Sequence, residues 1–178
     1  MSLCMIAKDE ADFLSQCLRN AKDRVDQIVV VDTGSSDSTV AVAEAADAEV
    51  STFVWSDDFS EARNHSLSQA ACEWILVVDC DEVVAAADWD RLREAAASGK
   101  ADAYRVTTRN YTRSSERVGW QAVSGVYPEE ERIYEGWFPT TKVRLFRNDS
   151  VVRFSGALHE LVERQAETAG WTIADCDV

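Results

Sequence analysis

Two apolar runs in this chain end in acid: "QIVVVD" at Asp32 and "WILVVD" at Asp79. The second continues as Cys80, Asp81 and Glu82, so three carboxylates fall within four positions. In extended chain, residues two apart share a side, which would put Asp79 and Asp81 together. Two carboxylates that close repel, and one pKa rises unless a cation lies between them. Oxygen-only ligands suit Mg²⁺ or Mn²⁺, and Mg²⁺ commonly takes one or two protein carboxylates plus phosphate oxygens and water. Net charge matters here. The chain carries 32 acidic against 18 basic residues, a net −14. That balance disfavours nucleic acid as a partner. An anionic ligand would need a local reversal of the field, which a divalent cation supplies.

The elements that must position these acids alternate. "SLCMIA" reads as a strand, and "KDEADFLSQCLRNA" as a helix with Phe13, Leu14, Cys17, Leu18 and Ala21 at helical spacing. "QIVVVD" is the next strand. "TGSSDS" is a turn, and Asp37 or Ser38 could cap the helix "TVAVAEAA". "AEVSTFVW" (strand), "SEARNHSLSQAAC" (helix), "WILVVD" (strand) and "DWDRLREAAASG" (helix ending at Gly99) follow. This order predicts an α/β fold, a mostly parallel sheet with helices on both faces. After Gly99, "DAYRVTTRNYT", "TKVRLFR" and "VVRFSG" read as strands of a mixed or antiparallel second half, and "WTIADCDV" as a strand just begun.

In open α/β sheets, ligands bind beyond the carboxyl ends of the strands. Asp32, Asp79 and the end of the first strand at Ala7 and Lys8 all fall there. Asp32 could instead serve only as a cap. "VDTGSSDST" could hold a nucleotide or be an ordinary turn. It is not a Walker loop, and the chain has no GxGxxG. His159, one of two histidines, is by type more often structural than a ligand. Lys142, Arg144, Arg147 and Arg153 form the one strongly basic stretch, either edge charges or partners for a phosphate or an acidic acceptor. Five cysteines without a CxxC pair argue against a disulfide framework or zinc site, and Cys4, Cys17 and Cys72 read as core residues. The sequence shows no apolar run long enough to span a membrane and no signal-peptide pattern, so a cytoplasmic location is the default expectation.

As a set, "SLCMIAKDE", "IVVVDTGSSDST", "FSEARNHSL…EWILVVDCDEV" and "KVRLFRN…FSGALHE" resemble the family 2 glycosyltransferases of GT-A fold, a Rossmann-like architecture. The similarity points to the bacterial subgroup that often carries tetratricopeptide repeats after its catalytic domain. The resemblance implies one catalytic domain over 1–178: residues 1–99 hold the nucleotide sugar, residues 100–178 complete the metal site and meet the acceptor, and the chain is cut short at its C-terminal end. It implies a nucleotide-diphospho-sugar donor, a UDP-sugar first of all. The nucleotide would lie against Ile6, Ala7, Lys8, Glu10, Asp32, Arg63 and Asp79. Asp81 and His159 would ligate Mn²⁺ or Mg²⁺. Asp79 and Asp81 would be catalytic, with inversion at the sugar; the family often supplies the base from an Asp in a "TEDxD"-like stretch, which this sequence lacks, so Glu160, beside His159, or one of Glu129, Glu130 and Glu131 is the candidate catalytic base. The acceptor would be a saccharide, a lipid-linked molecule or a peptide, with peripheral membrane contact compatible. Cys80 stands where the family more often has Ala, and its side chain is expected to point away from the metal. Glu82 is expected to face away from the two aspartates and support the loop. A non-catalytic nucleotide-sugar-binding module and a nucleotidyltransferase are the alternatives.

Overall fold

The computed structural model describes residues 1–176 and 178. Its elements run β1 (Ser2–Ala7), α1 (Ala11–Ala21), β2 (Gln27–Asp32), α2 (Thr39–Ala45), β3 (Glu49–Thr52), α3 (Phe59–Leu67), β4 (Trp74–Val77) and α4 (Trp89–Ala97). The second half follows as β5 (Ala103–Thr112), β6 (Gln121–Ala122), α5 (Pro128–Glu131), β7 (Gly136–Arg147), α6 (Glu163–Thr168) and β8 (Ile173–Asp175). They build a mixed sheet in the order β3-β2-β1-β4-β7-β5-β8, with β6 paired to β7. β1 to β4 are mutually parallel. β7 runs antiparallel to both β4 and β5, and β8 runs parallel to β5. Asp177, at the end of the expected last strand, lies outside the described residues.

The central strands are apolar on both faces because both faces are covered. Leu3, Met5, Val30 and Leu76 pack with Leu14, Leu18, Trp89 and Leu92 of α1 and α4. Cys4, Val29, Val31, Ile75 and Val77 point the other way, to Leu67, Val162 and Ala166. Strand periodicity divides the residues between the two layers. The α1 stripe is Leu14, Cys17, Leu18 and Ala21. Phe13, expected on that stripe, flanks it instead and is 57% exposed. Cys4 and Cys17 are core residues as expected, whereas Cys72 is only partly buried, in a bend after α3.

Two local departures shape the site. "VVRFSG" is not a strand of the sheet. The Asn64 side chain takes both polar groups of the Phe154 backbone, donating to its carbonyl at 3.0 Å and accepting from its N–H at 2.8 Å. The chain then loops through residues 155–161, closed by paired backbone bonds between Ser155 and Leu161. The other departure is in β7. Tyr104 pairs with Leu145 but Arg105 pairs with Val143, so Arg144 is an extra residue, a β-bulge. In a regular strand Val143 and Leu145 would share a face; here they pack into opposite layers.

Candidate active site

The carboxyl ends of β1, β2 and β4 meet at one edge of the sheet. Ala7 and Asp32 are register partners, and the Thr33 N–H donates to the Ala7 carbonyl at 2.9 Å. Asp32 is buried, and its carboxylate accepts the N–H groups of Gly34 and Ser35, both at 3.1 Å. This fixes the "TGSS" turn, in which Gly34 takes a φ of 107° that a side chain would disfavour. Asp32 does not cap α2, as the capping alternative had it; the N–H groups it holds belong to the turn before that helix.

The turn is stitched to the loop after β1 by a residue that the sequence reading passed over. The Asp9 carboxylate accepts the Ser36 N–H at 2.6 Å and its hydroxyl at 3.0 Å. The backbone bond from Ser36, then its hydroxyl, hold the Asp9 carboxyl below the usual carboxylate range. In the other direction, the Asp9 N–H donates to Ser35 Oγ at 2.9 Å, Glu10 N–H to Thr39 Oγ1 at 2.8 Å and Ala11 N–H to Asp37 at 3.2 Å. Asp37 also accepts the Thr39 N–H at 2.8 Å, so one acid serves the first turns of both α1 and α2. Ile6 and Glu10 are half-buried beside this clasp, and Lys8 is exposed.

β4 ends at Val77, short of the acids. Residues 79–82 form a turn closed by the Glu82 N–H donating to the Asp79 carbonyl at 3.0 Å. The expectation of two aspartates side by side in extended chain is therefore corrected: they sit on a turn. Cys80 points inward, as expected. Its sulfur lies 3.3 Å from the Ile6 carbonyl, and burial pushes the thiol up to about 12. Asp81 points to solvent and has no hydrogen-bond or ion-pair partner among the described residues.

Asp79 is bracketed. Arg63 from α3 donates to Oδ1, and Arg144 from the β7 bulge donates to Oδ2 at 3.1 Å. Arg144 also reaches Glu82 at 2.8 Å. Glu82 accepts the Asp79 N–H at 2.9 Å, which supports the turn as expected, yet its link to Arg144 makes it part of the cluster and not a group facing away. Arg63 is only 5% exposed, and its Nε donates to Glu160 at 3.3 Å. Its Nη1 is buried with no partner among the described residues. Glu160 is thereby tied to Asp79 through one guanidinium. His159, its neighbour, is exposed. Asp81 and His159 are not gathered into a formed cage: among the described residues no group of three or more His, Cys, Asp or Glu is placed to hold an ion. Of the other base candidates, Glu131 is buried, accepts the Gly125 N–H at 2.6 Å and faces Arg109 at 3.6 Å, which makes it structural; Glu129 and Glu130 are exposed in α5. Glu82 is the cluster member that the sequence did not assign to the site, and Arg144, left open there between an edge charge and a phosphate or acceptor partner, is drawn into it by its bonds to Asp79 and Glu82.

Burial alone would raise the Asp79 carboxyl, but Arg63 and then Arg144 hold it down at about 2. An unfolded Asp titrates near 3.9. The folded value is the lower one, so this carboxylate stabilises the fold above about pH 4 and loses that contribution as pH falls toward about 2. The stability gap between wild type and Asp79→Asn is expected to narrow over that window, as read from urea midpoints at each pH.

Residues 2–162 match the model of glycosyl transferase family 2. The chain belongs to this family. A TPR repeat-containing protein of Synechococcus elongatus is 38% identical over 92% of this family 2 chain and 35% of its own length. The SPbeta prophage-derived glycosyltransferase SunS of Bacillus subtilis is 28% identical over 88% of the chain and 33% of its own. The chain thus spans about a third of the length of these curated relatives. S. aureus TarS in complex with UDP-GlcNAc superposes with a TM-score of 0.66 at 20% identity, covering 99% of this chain and 56% of that one. The family 2 chain therefore has the GT-A fold expected from its sequence. No helix among the described residues is long and apolar enough to cross a membrane.

Proposed function

We propose that this chain is the catalytic domain of a glycosyltransferase that moves a sugar from a nucleotide-diphospho-sugar to an acceptor hydroxyl. The donor is a UDP-sugar, the ion Mn²⁺ or Mg²⁺, and the outcome inversion. The observation that carries this reading is Asp79, held between two arginines where the loops after β1, β2 and β4 converge, with the unpartnered Asp81 beside it. The TarS complex with UDP-GlcNAc supports the choice of uridine.

The nucleotide lies along Ile6, Ala7, Lys8, Glu10 and the Asp32 turn. Arg63 and Asp79 flank its ribose. An exposed carboxylate with no protein partner fits a hard cation that completes its shell with phosphate oxygens and water. Asp81 would hold that ion. His159 is a second donor, next to the Glu160 that Arg63 links to Asp79. A bound ion offsets the negative charge that grows on the leaving diphosphate. Glu160 accepts the acceptor hydroxyl proton as attack proceeds from the face opposite the nucleotide. Its Oε1 is held by Arg63, and its Oε2 is the oxygen for that task. The acceptor is a saccharide, a lipid-linked molecule or a peptide that reaches the crevice from the β7 side.

A thermal-shift comparison of UDP-, GDP-, dTDP- and CMP-sugars with Mn²⁺ tests the donor class. Ligand at about 100 times its Kd stabilises the native state by about 2.7 kcal/mol. The melting temperature should rise by several degrees with UDP-sugars and stay put with the others. A rise with none of the four would count against the reading.

A further inference from the structure

A strand bulge re-aims one side chain at a cost in ladder pairing, and bulges gather next to active sites. Here the bulge falls on Arg144, and it turns that guanidinium toward the turn after β4. Arg144 Nη2 lies 3.1 Å from Asp79 Oδ2 and 2.8 Å from Glu82 Oε1. The Arg144 side chain is 11% exposed and that of Glu82 20%. Glu82 makes two further bonds: Oε2 accepts the Asp79 N–H at 2.9 Å, and Oε1 accepts the Thr108 hydroxyl of β5 at 3.1 Å. The turn that carries Asp79 and Asp81 is thus fastened to β5 and β7 at both its backbone and its carboxylate. Arg147, on the same strand, contrasts with this. It pairs with Glu73 and Asp102 at the opposite end of β4, with its guanidinium over the Trp74 ring.

We propose that Arg144 and Glu82 are positioning residues, which set the turn from Asp79 to Asp81 so that it meets the diphosphate end of the donor. This rests on the glycosyltransferase reading above. Neither residue touches the reacting atoms; both act through Asp79 and Asp81. Their removal should therefore cost diphosphate recognition far more than nucleoside recognition, which rests mainly on the β1 and β2 loops and Arg63, with Asp79 at the ribose.

The test compares UDP with uridine by calorimetry, with and without Mn²⁺, and records melting temperatures. The proteins are wild type, Glu82→Gln, Arg144→Met, Arg144→Lys and the control Arg147→Met. The expected result is that Glu82→Gln and Arg144→Met lose the Mn²⁺-dependent preference for UDP over uridine by tenfold or more, with a smaller loss of uridine affinity. Arg144→Lys should recover part of it, and Arg147→Met should retain it. Should Arg144→Met fail to fold, Glu82→Gln carries the comparison. Variants that keep the full UDP preference would overturn the proposal. So would variants that lose uridine and UDP alike in step with their melting temperatures. A wild type that binds UDP no better than uridine overturns the functional reading itself, and this proposal with it.

Discussion

Arg63→Met is expected to lower stability by about 3–5 kcal/mol, the usual cost of removing one partner from a buried ion pair. For a chain of this size that corresponds to a fall in Tm of roughly 6–20 °C. The cause is uncompensated charge and not lost volume, since methionine fills much of the same space. Arg63 joins Asp79 on the turn after β4 to Glu160 in the 155–161 loop. Without it, two half-buried carboxylates lose the guanidinium they share, and only Arg144 still offsets Asp79. Arg63→Lys keeps the charge but not the planar fork that serves two carboxylates at once. It should fall between wild type and methionine in a urea titration. A loss under about 1 kcal/mol for methionine, the range of a surface ion pair, would mean that the bracket around Asp79 contributes little.

Asp81→Asn should behave in the opposite way. Asp81 is exposed and has no partner among the described residues, so its replacement should move stability by no more than about 0.5 kcal/mol. Its expected effect is on chemistry. Removing one group that serves a developing negative charge commonly costs about 10²–10³ in kcat. Hydrolysis or transfer from a UDP-sugar in Mn²⁺ should fall by that factor in a protein that melts like wild type. The two substitutions, one at a partner of Asp79 and one two residues beyond it on the same turn, thus separate what holds the site together from what the site does.

Much of the architecture was legible in the chain because central strands buried on both faces leave unbroken apolar runs. "QIVVVD" and "SLCMIA" became β2 and β1 over the expected residues. The convergence of strand ends was legible for the same reason, since parallel strands bring their carboxyl ends to one edge. The site's internal wiring was less so. "TKVRLFR" alternates in letters, and nothing in the alternation marks Arg144 as a bulge; the extra residue appears only against β5. "WILVVD" reads as one strand, yet pairing stops at Val77 and a turn takes over, because Glu82 satisfies the Asp79 N–H. "VVRFSG" has strand composition, but Asn64 occupies the Phe154 backbone groups that a strand neighbour would need. Asp9 carried no periodic signal. Its part depends on Ser36, distant in sequence, and the one hint was an acid facing a serine-rich turn across the ends of adjacent strands.

On the proposed function, this edge of the sheet binds a nucleoside diphosphate with the help of a divalent cation. Calorimetry of UDP with and without Mn²⁺, on wild type and Asp81→Asn, tests it most directly. Wild type should bind UDP at least tenfold more tightly when Mn²⁺ is present, and Asp81→Asn should lose that gain. UDP binding that is absent in wild type, or indifferent to both the ion and Asp81, would rule this function out.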